Sequence, residues 1–176
     1  MAKQEPEVVQ SVMAPSAPEP LGEGHEFNVF DCGNDDLNNW LRKFARKNAR
    51  DDTSRTYVVC VDNQVVAYYC LAVGSVDHKC APRKWRHGRP NPIPMMVLGR
   101  LAVDRDWQGK YVGSGLLKDA VKRTLEAAEI AGIHGIVVHA ISDEAKRFYE
   151  ERGFEVSPIA EMTMMVTLKD AAANLE

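Results

Sequence analysis

The stretch from Met95 to Ala131 constrains the chain most. An apolar, strand-like run ends in a polar turn, and a glycine-containing loop then opens a long amphipathic helix. Met95 to Val103 reads as a buried strand. The helix reads from Gly113 to Ala131, with Leu116, Leu117, Ala120, Val121, Leu125 and Ala128 on its apolar face. Ile136 to Ala140 then reads as a strand, and Met162 to Leu168 as the last one. Between them, Asp143 to Arg152 reads as a short helix capped by Ser142 or Asp143 and stopped by Gly153. Strands alternating with helices need a sheet covered by helices, so the pattern predicts an α/β sandwich around a mixed sheet.

The first half supplies a helix and a hairpin. Asn34 is a good N-cap, and Asp35 and Asp36 complement the positive end of a helix running to Arg50. Leu37, Trp40, Leu41 and Phe44 follow the i, i+3, i+4, i+7 spacing of one buried stripe. Arg42, Lys43, Arg46, Lys47 and Arg50 fall on the other side. Thr56 to Val61 and Val65 to Val73 read as an antiparallel hairpin closed by Asp62, Asn63 and Gln64. Residues 81–90 read as irregular, and prolines at 90, 92 and 94 argue against a regular central element there. Residues 1–18 suit a flexible lead-in, 19–170 form one domain, and 171–176 read as a C-terminal tail.

The formal net charge of −3 excludes a molecule that is basic throughout, so any RNA contact must come from locally clustered charge. Cys32, Cys60, Cys70 and Cys80 form no C-x-x-C pair, and the five histidines lack ligand spacing against them. No metal site is expected, and the cysteines read as reduced thiols of a cytoplasmic protein. There is no apolar run of about 18 residues, so no membrane span is expected.

The loop before the long helix has the physics of an anion site, because free N–H groups and the helix dipole meet there. Taken alone it serves equally as an ordinary strand-to-helix turn. It lacks the G-K-[ST] ending of a Walker loop and the G-x-G-x-x-G spacing of a dinucleotide fingerprint.

Arg100-Leu101-Ala102-Val103-Asp104, Trp107-Gln108-Gly109 and Gly113-Ser114-Gly115-Leu116-Leu117 resemble the acetyl-CoA signature of the GNAT acetyltransferases. With His139-Ala140, Ser142-Asp143-Glu144-Ala145, Phe148-Tyr149-Glu150 and Gly153-Phe154, the chain looks like the GNAT toxins of bacterial toxin–antitoxin pairs. Phe30-Asp31-Cys32-Gly33-Asn34 resembles that group too, and the likeness runs from about residue 19 to 168. The resemblance implies acetyl-CoA as cosubstrate. Leu101, Ala102 and Val103 would hold the pantetheine arm and offer an N–H to the thioester oxygen. Gln108, Gly109, Lys110, Tyr111, Gly113 and Ser114 would surround the pyrophosphate, with Phe148 nearby. Tyr149 would protonate the leaving thiolate; by itself, a Tyr beside Phe148 on a short amphipathic helix is also an ordinary packing residue.

One position departs from the pattern: the family's first motif glycine falls at 111, where this chain has Tyr. Either the side chain disables the loop, or its ring lies outward or against the cosubstrate.

The resemblance further implies acetylation of the α-amino group of aminoacyl-tRNA, a ribbon–helix–helix antitoxin as partner, and a homodimer. Arg42 and Arg46, then Arg83, Lys84, Arg86 and Arg89 around Trp85, and Arg100, are the candidate RNA contacts. A small amine or a protein N-terminus as acceptor, and a non-catalytic antitoxin-binding module, are the alternatives.

Overall fold

The structure, a computed structural model, describes residues 13–175. In chain order its elements are β1 (Glu19–Pro20), α1 (Asp35–Lys43), α2 (Ala45–Arg50), β2 (Arg55–Val61), β3 (Gln64–Val76), β4 (Ile93–Val103) and α3 (Val112–Ala128). There follow β5 (Gly135–His139), α4 (Asp143–Glu150), β6 (Glu155–Val156), β7 (Thr163–Thr167) and α5 (Leu168–Ala173). The strands form one sheet in the order β1-β2-β3-β4-β5-β7-β6, and only β4 and β5 run parallel. This is the mixed α/β sandwich expected from the sequence.

Alternation along the strands sends side chains to two cores. Tyr69 and Leu71 of β3 join Leu98, Leu116, Ala120, Ile136, Phe154 and Met164 beneath α3. Tyr68 and Cys70 turn the other way and meet Phe30, Trp40 and Leu41 beneath α1. The β2–β3 turn has positive φ at both Asp62 and Asn63, the mirror-image turn whose twist matches a hairpin.

Several boundaries differ from the sequence reading. The helix expected over 34–50 breaks at Phe44, which caps both α1 and α2 and stands half-exposed, so it leaves the apolar stripe. The long helix ends at Ala128, short of Ala131. β4 begins at Ile93 and includes Pro94, although prolines argued against a strand there. Pro94 C=O accepts from His134 N–H at 2.8 Å, so the proline nitrogen faces the β5 side, one residue before β5 starts to pair. The missing donor therefore costs no ladder bond. Of the residues read as a tail, 171–173 belong to α5, where Ala171 is buried. Ser16, in the expected lead-in, exchanges two hydrogen bonds with Cys60; residues 1–12 lie outside the described part.

Candidate active site at a fork between two strands

β4 and β5 pair from Met95↔Gly135 to Leu98↔Val138 and then separate, while β4 stays on β3 as far as Val103↔Ala67. The parting follows a bulge: Cys70 faces Arg100 and Leu71 faces Leu98, leaving Gly99 as the extra residue. A Cβ at Gly99 would sit 3.0 Å from the Cys70 sulfur, which explains the glycine. Past the bulge the direction of the main chain is fixed by one bond, Asp104 N–H to Val66 C=O at 2.8 Å. Bonding direction alternates along an antiparallel strand. Leu101 and Val103 therefore turn their N–H and C=O groups away from β3 and into the fork.

The loop after β4 is held from both sides. Gln108 donates from Nε2 to Val103 C=O at 2.8 Å and to Cys32 C=O at 3.0 Å. Asp31 accepts from Gly33 N–H and from the Asn38 amide, and these bonds hold its carboxyl below the usual carboxylate range. Asp104 in turn accepts from Asp31 N–H at 3.0 Å. The 30–34 segment is thus tied to the end of β4. Gln108, expected around an anion, spends its side chain on this latch.

At the start of α3 nothing competes for the free N–H groups of Val112, Gly113 and Ser114: the first turn has no acidic residue and the N-cap side chain makes no bond. That N-cap is Tyr111, with φ +63° and ψ +12°. A residue with a Cβ pays roughly 1–2 kcal/mol for this left-handed conformation. Its ring is 87% exposed, so it lies outward and does not cover the amides. Gly109 has φ +73°, and the Lys110 ammonium folds back to 4.9 Å above the Trp107 ring.

Tyr149 sits on α4 with only 5% of its surface exposed, between the rings of Phe148 at 5.1 Å and Phe154 at 5.2 Å. Burial pushes its phenol above the usual range, and the Arg152 charge pulls it part of the way back. The hydroxyl is not among the fully enclosed unpartnered polar atoms. It holds its proton at neutral pH and is free to donate it. Arg152, which the sequence reading missed, lies 3.8 Å over Phe148 and donates to Ser114 Oγ at 2.6 Å. It ties the end of α4 to the first turn of α3. Its i+4 spacing from Phe148 was the available signal.

Free strand amides, a helix N-terminus without competing carboxylates and a buried phenol suit a thioester carried on a pyrophosphate. Residues 52–156 match the acetyltransferase (GNAT) domain model. The chain is 43% identical over 158 residues to the tRNA-acetylating toxin of Mycobacterium tuberculosis, spanning 90% of this chain and 95% of that one. The chain belongs to the GNAT acetyltransferase family. Among solved structures, AtaT complexed with acetyl-methionyl-tRNAfMet has a TM-score of 0.84 at 27% identity, covering 93% of this chain and all of that one. A tyrosine-to-phenylalanine mutant of AtaT, bound to the C-terminus of the antitoxin AtaR and acetyl-CoA, has a TM-score of 0.76 at 28% identity; it covers 90% and 96% of the two chains.

Within this GNAT domain the basic residues read as RNA contacts divide sharply. Arg46 reaches the carbonyls of Gly22, Glu23 and His25 at 3.3, 3.4 and 2.6 Å and lies 4.4 Å over Phe27. Arg42 donates to Phe30 C=O at 2.5 Å. Both staple the 21–30 segment to α1 and α2; Arg46 is half-buried in doing so, whereas Arg42 remains exposed. Trp85 is 3% exposed, packed with Ile93, Met95, Val137 and Met165, and its indole donates to Glu155 Oε2 at 3.2 Å. It is a core residue, not a platform for a base.

Lys84 pairs with the same Glu155, and Arg86 donates twice to Ala81 C=O. Arg83 and Arg89 stay on the surface. Arg100 stacks 4.8 Å over Trp40, beside the bulge.

All four cysteines are free thiols. Glu19, His25 and Cys60 come within 4.8 Å of one another, a juxtaposition invisible in the sequence spacing. There His25 Nδ1 accepts from Gly22 N–H, so Nε2 carries the proton and points it at Glu19. In that tautomer Nε2 donates a hydrogen bond to Glu19 and has no lone pair to offer a metal. No helix among the described residues is long and apolar enough to cross a membrane.

Proposed function

We propose that this chain transfers acetyl from acetyl-CoA to the α-amino group of aminoacyl-tRNA and so removes charged tRNA from translation. The observation that carries the chemistry is the fork, where Leu101 and Val103 present unpaired N–H groups to one gap. The acceptor is carried over from the tRNA-acetylating toxin that matches 90% of the chain.

In this reading the amides of Val112, Gly113 and Ser114 hold the pyrophosphate, with the helix dipole behind them. The free edge of β4 takes the pantetheine arm. The amine, having lost a proton to solvent, attacks the thioester carbonyl carbon. The Leu101 N–H stabilises the negative charge that develops on oxygen, and such a donor contributes about 3–4 kcal/mol when preorganised. As the C–S bond breaks, Tyr149 gives its proton to the departing thiolate. A phenol carries that proton at neutral pH.

Arg83 and Arg89 supply surface charge for RNA phosphates, and Arg100 borders the fork. An antitoxin of the ribbon–helix–helix type and a second copy of the chain are the partners this reading carries, in the cytoplasm where charged tRNA is found.

The test is transfer of labelled acetyl from acetyl-CoA to charged tRNA, with uncharged tRNA as control and Tyr149→Phe beside the unmodified chain. Label on charged tRNA alone, lowered about 100-fold or more in kcat by the substitution, is the expected result. Equal label on small amines and none on tRNA would defeat the acceptor assignment while leaving the family intact.

A further inference from the structure

Of the residues between β4 and α3, the last four, Gln108 to Tyr111, lead directly into the helix, and three of these are accounted for. Gln108 is latched to main-chain carbonyls, Gly109 has no side chain, and Lys110 folds over Trp107. Tyr111 is the exposed aromatic residue of this loop. It adopts a left-handed backbone, supplies no capping bond to the helix it begins, and leaves its ring in solvent. The fold gains nothing from this ring and carries backbone strain at the same residue. Strained residues of this kind cluster at ligand clamps and active sites.

We propose that Tyr111 is a positioning residue for the donor, its ring being the platform on which the adenine of acetyl-CoA stacks. The inference rests on acetyl-CoA being the donor and is independent of the acceptor. If the amides of Val112 to Ser114 take the pyrophosphate and the fork takes the pantetheine, the adenosine leaves in the other direction, toward solvent. Tyr111 immediately precedes those amides in the chain and is exposed to solvent. Adenine is the one aromatic group of the cosubstrate, and a purine stacks on a phenol ring without sequence-like demands on geometry. The ring thus compensates at this position for the glycine that the family pattern would place there.

Titration calorimetry with CoA and with 4′-phosphopantetheine, which lacks the adenosine, tests this on the unmodified chain, Tyr111→Phe and Tyr111→Ala. Alanine keeps the Cβ and hence the left-handed cost, so the comparison isolates the ring. CoA should bind Tyr111→Ala about tenfold more weakly and Tyr111→Phe unchanged. All three proteins should bind 4′-phosphopantetheine alike.

Equal CoA affinity in Tyr111→Ala would overturn the inference alone. Equal weakening toward both ligands would overturn it too, by assigning the effect to the loop backbone. Unchanged CoA affinity with a raised KM for charged tRNA would place the ring against RNA and overturn it likewise. No CoA binding by the unmodified chain would remove the donor reading and the inference together.

Discussion

Truncating Trp85 separates a core role from an RNA-stacking role. The indole is 3% exposed, packs on Ile93, Met95, Val137 and Met165, and meets the His134 ring edge-on at 5.3 Å. Trp-to-Ala changes in such surroundings cost about 3–5 kcal/mol. The lost bond to Glu155 adds little, because that carboxylate keeps Lys84 at 2.6 Å and is half-exposed to water. A total near 4 kcal/mol should lower Tm by about 8–16 °C in a chain of this length. Urea unfolding followed by far-UV circular dichroism reads this without relying on tryptophan emission. Binding of charged tRNA, measured well below the variant's Tm, should change less than about threefold. A stability loss under 1 kcal/mol combined with a tenfold loss of tRNA affinity would refute the reasoning and restore Trp85 as a base-stacking residue.

Arg46→Ala should cost about 1–2 kcal/mol, since it takes the donor from the half-buried His25 carbonyl and uncovers Phe27, whereas the exposed Lys43→Ala should stay within about 0.5 kcal/mol. Urea midpoints decide this, and faster proteolysis within 21–30 in Arg46→Ala would accompany it. Raising pH should destabilise the protein in two stages. Burial pushes the Cys60 and Cys70 thiols to about 11 and the Tyr68, Tyr69 and Tyr149 phenols above their usual range. Above pH 9 for the thiols and pH 10 for the phenols, the unfolded chain has lost protons that the native one keeps. Stability then falls with rising pH, by about 1.4 kcal/mol per unit for each group so affected. A urea midpoint that stays flat from pH 9 to 11 would contradict these burials.

The layered architecture was legible because the helix and strand periods were clean. Leu116, Leu117, Ala120 and Val121 all fall beneath α3 as their spacing requires. Tyr149 and the loop residues were legible only through the joint pattern of several motifs. Phe44 was misplaced because periodicity carries no information about where a helix breaks. Trp85 and Arg46 were misread for a related reason: composition places charge and aromatic rings in a segment, but burial depends on partners distant in sequence. Glu155, 70 residues from Trp85, is such a partner. Gln108 shows the same limit, since its latch reaches Cys32, 76 residues upstream. The fork itself could not be seen, because it depends on where β5 stops pairing with β4.

What the free edge of β4 offers at the fork is main chain, and this bears on how the proposed activity is lost by mutation. Every amino acid but proline brings an N–H to positions 101 and 103. Substitutions there alter the fit of side chains in the core but leave the donor in place. If the proposed roles hold, loss-of-function changes that spare the fold are thereby driven to few positions, Tyr149 foremost, because the amides of Val112 to Ser114 are main chain as well. A screen for survivors of expression should return replacements clustered there and, along 101–103, chiefly prolines.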